Sequence, residues 1–144
     1  AAMAMLAVHD HVVRDALVRN CGREIKHTGD GIMASFISAA GAVRCACQVQ
    51  GELREHNAGG PDFPVIVRIG ISAGEPVGQH EDLFGSSVQL AARLCHQAEP
   101  GQILVSSVIA ELCIGKGLRF IGAGPCQLKG FEQPVETHVV ELVC

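Results

Sequence analysis

Gln89 and Arg93 lie four residues apart in a stretch of helical pattern, so an amide and a guanidinium leave the same helix face and can point at one ligand. Asp30 stands between Gly29 and Gly31, a carboxylate flanked by residues without side chains. Gly-Asp-Gly is also a favoured tight turn, so Asp30 alone does not distinguish a ligand from a turn residue. Two other groupings are weaker. Cys45 and Cys47 form a lone Cys-x-Cys with no second ligand pair nearby in sequence, which reads as structural rather than metal-binding. His9 and His11 are two apart and fall on different sides of a helix, so His9, Asp10 and His11 read as a solvated face.

The elements that must position these groups follow from periodicity. Met5, Leu6, Val12, Val13, Ala16 and Leu17 recur at helical spacing, so about the first twenty residues form an amphipathic helix. Arg23 to Thr28 and Ile32 to Phe36 are strand-like runs flanking Gly29-Asp30-Gly31, a β-hairpin signal. Ser38 can cap a second helix whose apolar face carries Ala39, Ala42, Val43, Ala46, Val49 and Leu53. Asn57-Ala58-Gly59-Gly60-Pro61 reads as a loop, and Val65 to Ala73 as a β-branched strand. After a loop from Gly74 to Gly85, Ser87 can cap a third helix with Val88, Ala91, Ala92, Cys95 and Ala98 inward. Gln102 to Ser106 is a strand and Ser107 to Cys113 a short helix. Leu118 to Ile121, Cys126 to Lys129 and Val135 to Leu142 are further strands. Prefixed by one strand, the order opens β-α-β-β-α-β, an α+β ferredoxin-like unit with extra C-terminal strands. We therefore expect one domain over 1–144 that lacks its first strand.

Composition narrows the function classes. The 144 residues are 48% hydrophobic and 18% charged, which suits a single core. A net charge of −4 with five Phe and no Trp or Tyr argues against nucleic-acid binding. The longest stretch without Asp, Glu, Lys or Arg is the 13 residues Gly31 to Val43, too short to cross a bilayer, and no secretory signal is visible. Seven cysteines, Cys21, Cys45, Cys47, Cys95, Cys113, Cys126 and Cys144, are odd in number and scattered, as expected of reduced thiols in the cytoplasm.

Several segments together carry a family resemblance. The run from Arg23 to Gly31, with Lys26 ahead of Gly29-Asp30-Gly31, resembles the Lys-x-x-Gly-Asp-Gly hairpin of class III adenylate and guanylate cyclase catalytic domains. Phe84-Gly85-Ser86-Ser87-Val88-Gln89-Leu90-Ala91-Ala92-Arg93-Leu94 is similar to that family's Phe-Gly-x-x-Val-Asn-x-Ala-Ala-Arg-Leu helix. Val67 to Ile71 with Gly74-Glu75-Pro76-Val77, then Pro100 to Ser106, then Leu128-Lys129-Gly130, follow in the family's order and roughly at its spacing.

The resemblance implies roles. The family drives a ribose 3′-hydroxyl onto the α-phosphate and expels pyrophosphate, using Mg²⁺ or Mn²⁺ at a two-metal site. Asp30 matches the second metal-binding aspartate, Arg93 the transition-state arginine, and Lys129 a lysine that contacts the triphosphate. Lys26 and Asp82 match the base-recognising pair, and a lysine donor with an aspartate acceptor suits N1 and the amino group of adenine, hence ATP. Each family site lies between two domains, so a head-to-tail homodimer is implied.

Two departures stand out. Gln89 replaces the family's ribose-orienting Asn, and an added methylene shifts the amide by about 1 Å, enough to cost on the order of 100-fold in rate. The family's first strand, with Phe-x-Asp-x-x-Gly and the first metal aspartate, has no match before His9-Asp10. The sequence thus reads as an adenylate cyclase domain. The alternatives are a cyclase-like nucleotide-binding regulatory module and a ferredoxin-like dimerisation domain.

Overall fold

The computed structural model describes residues 2–28, 31–74 and 86–142. Its elements are α1 (Ala2–Arg19), β1 (Arg23–Thr28), β2 (Gly31–Ser35), α2 (Ala39–Ala58), β3 (Ile69–Ile71), α3 (Ser86–Gln97), β4 (Ile103–Ser106), α4 (Ser107–Leu112), β5 (Phe120–Cys126) and β6 (Val135–Val140). They form two compact units, Ala1–Val67 and Arg68–Cys144.

In the first unit β1 and β2 form the expected antiparallel hairpin, closed by the pair Thr28 and Gly31. Helix α2 starts where the sequence indicates: Ser38 is extended, and its Oγ accepts from the Gly41 backbone N–H at 3.0 Å. Ala42, Val43, Ala46, Val49 and Leu53 are buried as the periodicity requires, beside Ala16 and Leu17 of α1, which packs against α2. The helix outruns the sequence expectation, however. Asn57 and Ala58 are its last residues rather than the start of a loop.

That difference explains a second one. Val65 to Arg68, expected in a strand, lie outside the ladder. Asn57 Nδ2 donates to the Val65 carbonyl at 2.9 Å, the Val65 N–H donates to Asn57 Oδ1 at 2.9 Å, and Gln50 Nε2 donates to the Val67 carbonyl at 3.2 Å. Side-chain amides of α2 thus take backbone groups that a neighbouring strand would otherwise satisfy.

The second unit is a four-stranded sheet in the order β3-β4-β6-β5, with β3 parallel to β4 and the other pairs antiparallel. All of β4 is buried. The segment from Gly122 to Pro125, which looks like a break between two strands, instead runs within the single strand β5. It contains a bulge between Gly122 and Gly124, with Gly124 at φ +81°. Thr137, fully buried, seals the bulge by donating from Oγ1 to the Gly124 carbonyl at 2.9 Å. Among the described residues no helix is long and apolar enough to cross a membrane.

Candidate functional site

Helix α3 carries the best-defined part of the site. Its Leu94 is fully buried with Ala98, Leu104 and Leu128, and Leu90, Cys126, Phe131, Val135 and Val139 pack around that cluster. The expected inward face needs one correction: Ala92 is exposed, and Leu90, Leu94 and Ala98, at spacings of four, form the row that joins Leu104 and Leu128. Gln89 and Arg93 occupy another face, Gln89 exposed and Arg93 half-buried. They share that face one turn apart, as their spacing requires.

Lys129 belongs to the same unit. Leu128, 4% exposed, joins the Leu94 cluster, and the chain turns immediately after it: the Phe131 N–H donates to the Leu128 carbonyl at 3.1 Å. Gly130 takes φ +88°, the left-handed conformation a type II turn needs at its third position. Gln127 Nε2 donates to the Phe131 carbonyl at 2.8 Å and ties the turn across its mouth. Lys129 is therefore an exposed cation at the tip of a turn whose base is anchored in the core that holds α3.

Lys26 lies in the other unit, exposed on β1 opposite Met33. A register shift between Glu24 and Lys26 leaves Ile25 as an extra residue, a device that re-aims the strand's side chains. Asp30 and Asp82 lie outside the described residues. Among the described residues no group of three His, Cys, Asp or Glu could hold a metal ion.

One charged cluster escaped the sequence reading. Asp10 is not simply solvated: its Oδ1 is 3.0 Å from His9 Nδ1 and 3.4 Å from His27 Nε2, and its Oδ2 is 3.8 Å from the Arg14 guanidinium. Arg14 Nε in turn donates to Glu24 Oε1 at 2.9 Å. The hydrogen bond with His9, followed by that with His27, holds the Asp10 carboxyl below its ordinary value against the opposing effect of desolvation. Arg14 does the same for Glu24. The network clasps α1 to β1, the strand that carries Lys26. The i,i+4 spacing of Asp10 and Arg14 was its one visible trace in the sequence. Cys45, by contrast, is a buried thiol pushed up to about 11 by desolvation, which fits a structural role and not a metal ligand.

Over residues 1–142 the chain matches the model of the adenylate and guanylate cyclase catalytic domain. A Rhizobium meliloti (strain 1021) protein called "Putative adenylate cyclase 3" is 36% identical over 116 residues, which are 79% of this chain and 20% of that protein. The chain thus spans a fifth of the length of that relative. Among solved structures, an adenylate/guanylate cyclase/hydrolase from Silicibacter pomeroyi superimposes with a TM-score of 0.85 at 29% identity, covering 97% of this chain and 84% of the other. The guanylyl cyclase Cya2 superimposes with a TM-score of 0.83 at 27% identity, covering 99% of this chain and 81% of the other.

Proposed function

The chain belongs to the adenylate and guanylate cyclase catalytic domain family, and from that premise we propose that it converts ATP to cyclic AMP and pyrophosphate. The observation that carries the reading is the arrangement of Gln89 and Arg93 on one face of α3, with Lys129 on a turn anchored in the same core. A guanidinium and an amide side by side suit the α-phosphate and the ribose, and an exposed lysine suits the outer phosphates.

In the proposed reaction the 3′-oxygen forms a bond to the α-phosphorus, the bond to the pyrophosphate oxygen breaks and its electron pair leaves with pyrophosphate, and the hydroxyl proton passes to water. Arg93 offsets charge that grows on the non-bridging oxygens in the transition state. Gln89 orients the ribose, and Lys129 holds the β- and γ-phosphates. Asp30 is the metal ligand this chain contributes. A lone carboxylate beside glycines fits Mg²⁺ or Mn²⁺, since such ions take one or two carboxylates and complete their shell with phosphate oxygens and water. When bound, the metal neutralises triphosphate charge and lowers the pKa of the attacking hydroxyl. We assign the active form as a head-to-tail homodimer, with Asp30 from one chain meeting Lys26, Asp82, Gln89, Arg93 and Lys129 from its partner.

The base preference rests on Lys26 and Asp82, a donor and an acceptor matched to adenine. The test is cyclic nucleotide formation by the protein with Mn²⁺ and either ATP or GTP, beside Lys26→Glu/Asp82→Cys, which should turn the preference toward GTP. Unaltered ATP use by Lys26→Ala would remove the adenylate assignment. Gln89 favours one second reading, a nucleotide-binding regulatory module. ATP binding without turnover would support it, whereas no ATP binding at all would leave a dimerisation domain.

A further inference from the structure

Residues 68, 70, 72 and 74 alternate along β3 and its exit, and each meets α3 at a defined point. Cys95 Sγ donates to the Arg68 carbonyl at 3.3 Å. A Cβ added at Gly70 would fall on the Ala91 carbonyl and the Cys95 backbone nitrogen. Ser72 Oγ donates to the Ser87 carbonyl. A Cβ added at Gly74 would lie 2.6 Å from Ser87 Cβ. A row of period two on the strand thus faces Ser87, Ala91 and Cys95, a row of period four on the helix. Gln89 and Arg93 each stand two residues beyond a member of that row, about 200° around the helix. The strand holds one side of α3 and the opposite side presents the amide and the guanidinium.

Within this seam the Ser72 hydroxyl bonds the first turn of α3 directly, gripping a carbonyl two residues before Gln89. We infer that Ser72 is a positioning residue, which sets the first turn of α3 on the sheet and thereby fixes where Gln89 and Arg93 stand. Close packing at Gly70 allows the helix to lie against the strand, but apolar contact does not determine the height of a helix along its own axis. A directed hydrogen bond near the N-terminus does. The inference rests on the proposed cyclase reading for its effect on turnover, but not for its effect on α3.

The test compares Ser72→Ala, Ser72→Thr, Arg93→Ala and the Ser72→Ala/Arg93→Ala double variant in the intact protein. Amide hydrogen exchange of peptides covering 86–92 and 103–106 is read without nucleotide, and kcat and KM are read with Mn²⁺-ATP. Ser72→Ala should speed exchange in 86–92 while leaving 103–106 protected. It should lower kcat about tenfold with KM within about twofold, because a misplaced transition-state group costs rate more than binding. Ser72→Thr keeps the hydroxyl and should stay near the unaltered protein on both readouts. Because Arg93→Ala is itself expected to abolish turnover, the double variant is read by exchange alone, and its 86–92 peptide should exchange as fast as that of Ser72→Ala. Unchanged exchange in 86–92 would overturn the proposal, as would equal loss of protection in both peptides, which would make Ser72 a general stability residue. An unaltered protein that makes no cyclic nucleotide would overturn the cyclase reading alone, and exchange would still decide the role of Ser72.

Discussion

Asn57 and Val65 exchange two hydrogen bonds, each 2.9 Å long, so that one side-chain amide satisfies both the N–H and the carbonyl of a residue 5% exposed. Asn57→Ala removes both partners at once and leaves buried backbone groups unpaired. The expected cost is about 2 kcal/mol, seen as a lower urea midpoint with an unchanged slope. Asn57→Asp, which retains the acceptor and loses the donor, should fall between the two.

Two glycines give opposite expectations for the same change. Gly70→Ala drives a Cβ into the backbone of α3, which cannot yield as a flexible side chain would. It should destabilise by about 2 kcal/mol or more. At Gly51, inside α2, a Cβ meets nothing within 4 Å. Gly51→Ala should therefore stabilise by roughly 0.5–1 kcal/mol. Chemical denaturation of both variants checks the pair.

Acid should loosen the clasp between α1 and β1. Asp10 sits below its ordinary value because of His9 and His27, and Glu24 because of Arg14. A depressed carboxylate contributes stability that is complete above its unfolded value and is lost as pH falls through the folded one. Stability should thus decline below about pH 4. In Asp10→Asn that decline should be shallower, and the variant should already be weaker at neutral pH. Parallel urea titrations from neutral to acidic pH measure both.

Gln89 carries one methylene more than the Asn of the family pattern. Shortening it by Gln89→Asn should raise kcat, by as much as about 100-fold if the ribose is misplaced by 1 Å, with little change in KM. An unchanged or lower kcat would mean that the ribose is already seated by Gln89.

A shared site makes its own prediction about mixtures. Asp30→Ala and Arg93→Ala should each abolish cyclic AMP formation, while equimolar mixing should restore one working site per heterodimer. Assays across mixing ratios should peak near equality. Mixtures that stay inactive beside an active unaltered protein would exclude the head-to-tail arrangement.

Much of this chain was legible from local rules. The hairpin pairing Arg23 with Ser35, the Ser38 cap and the buried row from Ala42 to Leu53 follow from patterns inside a single hairpin or a single helix. Family membership too lay in the sequence, in short segments around Asp30, Arg93 and Lys129, because binding chemistry restricts residue type at fixed spacing. What local rules misplaced lay where a side chain of one element bonds or pairs with another element. Val65 leaves the ladder because Asn57 takes its hydrogen bonds, and Gly122 to Pro125 stays within a strand because Thr137 closes the bulge. His27 reaches Asp10 across 17 positions, so neither residue signals the other. Likewise the spacing of Gln89 and Arg93 placed them on one face and periodicity put Ala91 and Cys95 inward, but that Gly70 of β3 is what meets them emerged only from the tertiary structure. A helix's periodicity says which residues travel together, and only packing against another element says which way they point.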